Sequence, residues 1–193
     1  MVEYGNLDIR HYARLFKGMV SKETCEKTVK QMKDIEFQEH TFYNPHTGKT
    51  APRSGSQELE MSFSNNVTTK GELNLIVKSA GEKYVADIGL PWFQRFSGWS
   101  HVRFNKYSEN KKMALHCDHI HSMFDGERKG IPILSVLGSL NNNYEGGDFV
   151  LFDNHKIDFE AGDILVFPSV FIYPHRVEPV TKGTRYSYIS WIW

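Results

Sequence analysis

The sequence predicts a mainly β protein, with an antiparallel sandwich such as a jelly roll over residues 101–193 and supporting helices in residues 1–100. From His101 onwards the helical period gives way to short apolar runs separated by Gly, Asn and Asp. The chain holds 13 Phe, 9 Tyr and 4 Trp, large side chains that suit a β-rich core. Because its 193 residues are few for two domains, we expect one domain spanning 1–193.

Two helices are expected before the sandwich. The first should run from Ser21, whose hydroxyl can cap it, to about Ile35. The second should begin at Thr69, which forms a capping-box pattern with Glu72, and end at Gly89. Each helix carries apolar residues at helical spacing on one face: Cys25, Val29 and Met32 in the first, and Leu73, Ile76, Val77, Ala80, Tyr84 and Ile88 in the second.

Two segments are expected to be loops beside the site. Residues 38–60 have no clean period, and residues 43–56 contain two prolines and two glycines, which favours a substrate-facing flap over a disordered segment. The charged stretch 119–130 is interpreted as a solvated loop at the mouth of the site, with a lid as the alternative. Residues 9–16 should be extended, and residues 61–64 could form a short strand.

The C-terminal half contains eight apolar runs that we predict to be strands, bounded by turns at Gly146-Gly147, Ala161-Gly162 and Lys182-Gly183. The predicted strands are 101–107, 113–118, 131–140, 148–152, 155–160, 163–167, 174–178 and 184–192. The run 164–167 is apolar throughout, which indicates a strand covered on both faces.

Composition argues against several classes of partner. The formal net charge is zero and no long basic run occurs, so nucleic acid is not expected. No apolar run has the ~18 residues of a membrane helix, and the polar start is unlike a signal peptide. Two cysteines, Cys25 and Cys117, do not make a disulfide framework. We therefore expect a cytoplasmic protein, and a monomer.

A metal site is predicted from three residues of the C-terminal half. Side chains alternate along a strand, so His116 and Asp118 should point the same way and Cys117 the opposite way. His175 is the natural third ligand, and two His with one carboxylate are typical of non-haem iron(II) oxygenases. His-x-Asp alone is a weak motif. A zinc site of Cys117 with His119 and His121 is the competing interpretation, although no fourth ligand is apparent.

Arg185 is predicted to point into the core. It shares one strand face with Ser187, Ile189 and Trp191, of which the last two indicate an inward face. A buried guanidinium needs an acidic partner, which could be an internal Asp or Glu or the carboxylate of a ligand. Ser187 could then supply a further hydrogen bond to that ligand.

The order His116-x-Asp118, His175, Arg185-x-Ser187 resembles the iron(II)- and 2-oxoglutarate-dependent dioxygenase family, and most closely its prolyl 4-hydroxylase-like branch. About half of the chain carries the resemblance. It extends to the stretches 102–107, 140–149, 161–169 and 177–187, and to Trp191.

The resemblance implies a double-stranded β-helix (cupin-like) core, iron(II) held by His116, Asp118 and His175, and 2-oxoglutarate bound at Arg185. These four residues would be the catalytic set, with Tyr107 and Ser187 as further cosubstrate contacts. It also implies dioxygen as co-reactant, ascorbate as a possible reductant, and hydroxylation of an unactivated C–H bond while 2-oxoglutarate is decarboxylated to succinate. A prolyl residue of a protein or peptide is the implied substrate.

Two departures leave the substrate open. Met113 stands where many family prolyl hydroxylases have a tyrosine, and Arg185 stands where many collagen-type members have a lysine. Hydroxylation of a free amino acid or another small metabolite is therefore the alternative. A non-enzymatic jelly-roll binding module is a third interpretation, but such a module has no need for an intact triad together with Arg185.

Overall fold

The structure is a computed structural model that describes residues 8–44, 46–52, 57–89, 93, 96–118 and 132–193. Within these ranges lie one 3-10 helix (Ile9–Tyr12), two α-helices and fifteen strands. The α-helices are α1 (Lys22–Met32) and α2 (Lys70–Ile88). The strands are β1 (Arg14–Phe16), β2 (Gln38–Glu39), β3 (Thr41–Asn44), β4 (Lys49–Pro52), β5 (Glu60–Ser62), β6 (Arg103–Tyr107), β7 (Met113–His116), β8 (Leu134–Ser139), β9 (Tyr144–Gly146), β10 (Phe149–Leu151), β11 (His155–Ile157), β12 (Ile164–Pro168), β13 (His175–Val177), β14 (Val180–Gly183) and β15 (Arg185–Ile192).

Two antiparallel sheets form the core. The larger has the order β1-β12-β8-β15-β6-β5-β2, and the smaller has the order β11-β10-β13-β7. Each sheet contributes four strands to the sandwich: β6, β8, β12 and β15 in the larger, and β7, β10, β11 and β13 in the smaller, where β10 and β11 pair as a hairpin. This is the topology of a double-stranded β-helix, so the predicted fold class, mainly β with supporting N-terminal helices, is confirmed.

The helices pack on the outer face of the larger sheet, as their apolar stripes predict. Leu73, Val77, Ala80 and Tyr84 of α2 are buried, and Cys25 and Met32 of α1 join the same cluster. The sheet contributes alternate residues of its central strands to this cluster: Phe104, Val136, Tyr188 and Ile192 among them. The opposite face of the sheet is consequently left for the interior of the sandwich, where the site lies.

The two helix starts differ from each other. The hydroxyl of Ser21 accepts from the amide of Thr24 as predicted, but the capping box at Thr69 is wrong. Thr69 is itself helical and its hydroxyl bonds that of Thr28 at 2.6 Å, while Glu72 accepts from the Thr24 hydroxyl at 2.9 Å. Contacts between the two helices have replaced the local cap. The helix ends are closer to expectation, because Gly89 ends α2 with φ 69°, although α1 stops at Met32.

The prediction that residues 38–60 are mostly loop is wrong. Strands β3 and β4 form a two-stranded hairpin, and β2 pairs with β5 at the edge of the larger sheet. Gly48 has φ 63°, a left-handed conformation that glycine adopts readily in a turn. Residues 45 and 53–56 of the predicted flap, and the whole segment 119–130, lie outside the described residues.

Several strand boundaries also differ. The strand expected over 113–118 ends at His116, and only Arg14–Phe16 of the extended entry is a strand, after the 3-10 helix. Strands β9 and β14, which pair with each other, were not predicted. The fully apolar run of β12 is buried and paired on both sides, as expected. No helix of the described ranges is long and apolar enough to cross a membrane.

Candidate iron and cosubstrate site

Two histidines of the smaller sheet face each other across neighbouring strands. His116 at the end of β7 and His175 at the start of β13 are cross-strand partners, and their ring centroids lie 4.3 Å apart. A directly opposed pair in a sheet brings two side chains of one face close together. The pairing therefore accounts for two convergent imidazoles from residues that are far apart in the sequence.

Asp118 completes the cluster from beyond the strand. The chain leaves β7 after His116, so the prediction that alternation along one strand aims Asp118 is wrong. A bend delivers it instead: Oδ1 lies 3.3 Å from Nε2 of His116 and 3.6 Å from Nε2 of His175. The three ligand atoms all lie within 4.8 Å of one another. The structure therefore brings together the three residues that the sequence singled out.

The backbone sets the orientation of both imidazoles. Nδ1 of His116 is 2.8 Å from the carbonyl oxygen of Ala114, and Nδ1 of His175 is 3.1 Å from that of Tyr173. A carbonyl only accepts, so each Nδ1 carries the proton and donates. Each Nε2 then presents its lone pair to the centre of the cluster, which is the tautomer that a metal ligand requires.

The larger sheet fixes the carboxylate. Oδ2 of Asp118 accepts from the hydroxyl of Ser135 at 2.6 Å and from the indole nitrogen of Trp191 at 3.1 Å. Ser135 and Trp191 are cross-strand partners on β8 and β15. With Oδ2 held by these two donors, Oδ1 is directed at the imidazoles. Sequence reasoning missed Ser135, although the alternation Ser135, Leu137, Ser139 along one predicted strand was the available signal.

His175 is enclosed by aromatic rings. Phe149 stacks on it at 5.3 Å and Phe167 meets it edge-on at 5.1 Å. Burial lowers the pKa of His175 to about 4, with His116 adding to the effect and Asp118 opposing it. The imidazole is consequently neutral at neutral pH and able to bind a metal ion.

Arg185 is buried without an ionic partner. Only 1% of the residue is exposed, and it forms no ion pair with any Asp or Glu of the described ranges. One nitrogen, Nη1, donates to the Ser187 hydroxyl at 3.3 Å, while Nε and Nη2 have no hydrogen-bond acceptor among the described residues. An uncompensated buried guanidinium is costly, so these unfilled donors indicate a site for an anionic ligand.

Tyr107 and two serines border the same place. Tyr107 is the cross-strand partner of Arg185, and the guanidinium carbon lies 5.0 Å from its ring centroid. Burial raises the pKa of Tyr107, while Arg185 and Arg103 oppose the rise. Ser187 pairs across the strands with Ser139, whose buried hydroxyl has no partner. The structure therefore gathers Arg185, Tyr107 and Ser187, the three predicted cosubstrate contacts, on the inner face of the larger sheet.

The observed groups fit iron(II) and 2-oxoglutarate. Two imidazole nitrogens and one carboxylate oxygen are the donors that non-haem iron(II) sites use. The orphaned Nε and Nη2 of Arg185 can form a bidentate pair with a carboxylate of the cosubstrate. Both fits rest on side chains that the fold already holds in place.

The zinc alternative gains no support. Sγ of Cys117 donates to the carbonyl oxygen of Phe171 at 3.0 Å, and Cys117 is not part of the cluster of possible metal ligands. His119 and His121 lie outside the described residues. Within the parts of the chain that the structure describes, His116, Asp118 and His175 form the one such cluster.

Comparison with known sequences agrees with this geometry. Residues 102–193 match the model of the 2OG-Fe(II) oxygenase superfamily. A PKHD-type hydroxylase of Aliarcobacter butzleri is 36% identical over 96 residues, covering 46% of this chain and 41% of that protein. A PKHD-type hydroxylase of Xylella fastidiosa is 32% identical over 107 residues, covering 47% and 43%. The chain thus spans less than half the length of these curated relatives.

Solved structures share the fold at low sequence identity. A viral collagen prolyl hydroxylase of Paramecium bursaria Chlorella virus-1 has a TM-score of 0.63 and 14% identity, covering 94% of both chains. A Trichoplax adhaerens prolyl hydroxylase, solved with a hypoxia-inducible-factor peptide fragment, has a TM-score of 0.68 and 16% identity, covering 94% of this chain and 83% of its own. A Pseudomonas putida prolyl-4-hydroxylase has a TM-score of 0.62 and 15% identity, covering 94% and 91%.

The fold is a double-stranded β-helix, and its interior holds a cluster of two histidines and one carboxylate that could bind a metal ion. The sequence match to the 2OG-Fe(II) oxygenase superfamily, a family that uses iron(II), 2-oxoglutarate and dioxygen, covers residues 102–193, just under half of the chain.

Proposed function

We propose that this chain is an iron(II)- and 2-oxoglutarate-dependent dioxygenase that hydroxylates an unactivated C–H bond of a peptidyl proline. The observation that carries the proposal is the pairing of two features in one interior. A metal-binding triad of His116, Asp118 and His175 lies inside the same sandwich as the orphaned guanidinium of Arg185. A structural metal site has no need for the unpaired buried cation.

In this proposal His116, Asp118 and His175 hold the iron, and Arg185 holds the far carboxylate of 2-oxoglutarate. Bound there, iron(II) and 2-oxoglutarate would supply oxidation by dioxygen, with one oxygen atom going to succinate, carbon dioxide as the other product of the cosubstrate, and the second oxygen atom going to the hydroxyl of the product. Ascorbate would serve as a reductant that maintains iron(II).

The protein's own groups position and shield this chemistry. Ser135 and Trp191 hold Asp118 so that its Oδ1 stays on the ligand side. Phe149 and Phe167 exclude water from His175 and restrict its ring. Arg185, with Ser187 and Tyr107 beside it, fixes the cosubstrate through directed hydrogen bonds and thereby its orientation.

The N-terminal part supports the core, and we propose that the chain acts as one domain. Leu73 and Val77 of α2 are wholly buried in the cluster that covers the larger sheet. This packing keeps β8 and β15 in place, the two strands that carry Ser135 and Trp191. The helices therefore act on the site only through the strands beneath them.

The peptide substrate is supported by the fold neighbours, one of which was solved with a peptide bound. Hydroxylation of a free amino acid or another small metabolite is the alternative. Met113 is the reason to retain this alternative. The residue is buried and, being a methionine, offers no hydroxyl where many family prolyl hydroxylases have a tyrosine.

The test is product analysis with isotope-labelled dioxygen. Iron-loaded protein, 2-oxoglutarate and ascorbate are incubated with proline-containing peptides or with free proline, and the masses of the products are measured by mass spectrometry. The proposal expects one labelled oxygen on a peptidyl proline. Labelling of free proline alone would replace the peptide by the amino acid. Labelled succinate without any labelled proline product would support an oxygenase activity but reject both prolyl substrates.

A further inference from the structure

A second arginine faces the site. Arg103 lies on β6 opposite Ile189 of β15, two residues before Asn105 and four before Tyr107, on the inner side of the sheet. Its guanidinium carbon is 5.2 Å from the ring centroid of Trp191. Because Trp191 donates to Asp118, only one side chain separates this cation from the metal-binding carboxylate.

Arg103 also lacks an ionic partner. Its Nε donates to the side-chain oxygen of Asn105 at 3.1 Å, which is the one hydrogen bond of the guanidinium to the part of the chain that the structure describes. No carboxylate of that part forms an ion pair with it. Burial lowers the pKa of Arg103, and the opposing charges are those of Tyr107 and Asp118. Asp118 is already committed to the cluster, so the Nη groups are open to an anion.

Arg103 and Arg185 lie at different positions along the inner face of the larger sheet. Arg185 pairs with Tyr107 and Arg103 pairs with Ile189, so they are offset by four residues along the paired strands. This offset corresponds to ~13 Å between Cα atoms at ~3.3 Å per residue. Arg185 is at the end with Ser187 and Ser139, whereas Arg103 is opposite Ile189, two residues from Trp191, and its guanidinium lies near the Trp191 ring. The reacting carbon of a substrate must also come close to the metal. Arg103 therefore lies near the place where that part of the substrate would bind.

We propose that Arg103 binds a carboxylate of the primary substrate next to the reacting C–H bond, and that the enzyme selects substrates with negative charge there. This inference rests on the proposed function. The carboxylate has two possible sources: the α-carboxylate of a free or C-terminal proline, or the side chain of an acidic residue adjoining a peptidyl proline. A planar guanidinium suits either, because it pairs with carboxylates bidentately.

A purely structural role makes a different prediction. If Arg103 only stacked on Trp191 to steady the indole, its loss would disturb the hydrogen bond to Asp118 and weaken metal binding. If Arg103 instead bound the cosubstrate, its loss would weaken 2-oxoglutarate binding as severely as loss of Arg185. If Arg103 binds the substrate carboxylate, its loss leaves the affinities for the metal and for 2-oxoglutarate near those of the wild type.

The experiment measures binding by calorimetry in protein loaded with manganese(II), which stands in for iron without turnover, and with 2-oxoglutarate. Wild type, Arg103→Met, Arg103→Lys and Arg185→Met are titrated first with manganese and 2-oxoglutarate. Two matched probe pairs follow: L-proline against L-prolinamide, and a blocked Gly-Pro-Glu-Gly peptide against its Gly-Pro-Gln-Gly counterpart. The first titrations test the proposed function, and the probe pairs test Arg103.

We expect wild type to bind one carboxylate probe about ten- to a hundredfold more tightly than its neutral partner, as for a hydrogen-bonded ion pair. Arg103→Met should lose this preference and Arg103→Lys should keep part of it, while both retain their manganese and 2-oxoglutarate affinities. The preferred pair identifies the source of the carboxylate. The inference is overturned if wild type shows no preference for a carboxylate probe, or if that preference survives in Arg103→Met. It is also overturned if Arg103→Met loses as much affinity for manganese or 2-oxoglutarate as it loses for the probe. Absence of 2-oxoglutarate binding in wild type rejects the proposed function instead.

Discussion

The indole nitrogen of Trp191 donates a 3.1 Å hydrogen bond to Oδ2 of Asp118, across 73 residues of sequence. Trp191 belongs to the last strand of the larger sheet, whereas His116 and His175 belong to the smaller one. The carboxylate and the two imidazoles are therefore held by different sheets. The cluster forms only when the two sheets pack, so metal binding should be coupled to the integrity of the sandwich.

Replacing Asp118 by alanine should abolish turnover and leave the fold largely intact. The change removes the carboxylate that faces both imidazoles and leaves the neutral donors of Ser135 and Trp191 without that acceptor. Circular dichroism should match the wild type, while iron(II) binding and succinate formation should be lost. Turnover that persists in Asp118→Ala would reject the triad.

Replacing Ser135 by alanine should loosen the carboxylate without removing it. The variant loses a 2.6 Å hydrogen bond to Oδ2, and loss of such a supporting contact lowers metal affinity by about ten- to a hundredfold. The matched control is Ser190→Ala, a buried serine whose hydroxyl donates to the carbonyl oxygen of Ser100 instead. Manganese titration compares them, and equal affinities in the two variants would contradict the positioning role of Ser135.

Replacing Arg185 by methionine should have opposite effects on the empty and the loaded protein. Without ligand the variant should melt at a higher temperature, because an unpaired buried guanidinium is removed. With 2-oxoglutarate it should gain almost no stability, while its manganese affinity stays near that of the wild type. Arg176→Met is the control, since Arg176 is paired with Glu178 at 2.6 Å. Equal loss of metal and 2-oxoglutarate binding in Arg185→Met would indicate a structural arginine.

Acid should destabilise the metal-free protein through His175. Its pKa is about 4 in the folded chain against 6.5 for an ordinary histidine, so the unfolded chain binds more protons between these values. Stability therefore falls as the pH is lowered from 6.5 towards 4, by about 3 kcal/mol at ~1.4 kcal/mol per pKa unit. Urea unfolding at several pH values should show a flatter dependence in His175→Gln. A His175→Gln slope equal to that of the wild type would contradict the account.

The close packing of β8 against β15 in the larger sheet can be tested at Gly138. A Cβ there would overlap the Tyr188 ring, so Gly138→Ala should destabilise the fold by about 1–3 kcal/mol. Gly71→Ala is the control, because a Cβ at this helical position meets nothing within 4 Å and alanine favours a helix. Thermal unfolding compares the two variants. Equal melting temperatures would show that β8 and β15 pack less tightly than described.

Much of the fold could be predicted from local patterns. The apolar run of β12, the stripe of α2 and the glycine at φ 69° that ends it each follow from the identity of neighbouring residues. Failures occurred where distant contacts compete with local ones. Thr69 bonds Thr28 of the other helix instead of capping its own, and the hairpin of β3 and β4 forms within a stretch rich in turn residues.

The candidate site could also be predicted in part from the sequence. The residue types and order of His116, Asp118, His175 and Arg185 indicated iron and a carboxylate ligand. The way Asp118 reaches the cluster could not be read from the sequence, because the strand ends before it and a bend delivers it. Ser135 and Arg103 are informative only once the register of β8, β15 and β6 is known.

The proposed oxygenase activity can be measured as succinate release from 2-oxoglutarate under air, with iron(II) and ascorbate, in wild type and Asp118→Ala. Each protein is assayed with and without a proline-containing peptide. We predict iron-dependent succinate in the wild type, more of it with the peptide, and none in Asp118→Ala. Wild-type protein that binds iron and 2-oxoglutarate but releases no succinate under any of these conditions would contradict the account and favour a binding module.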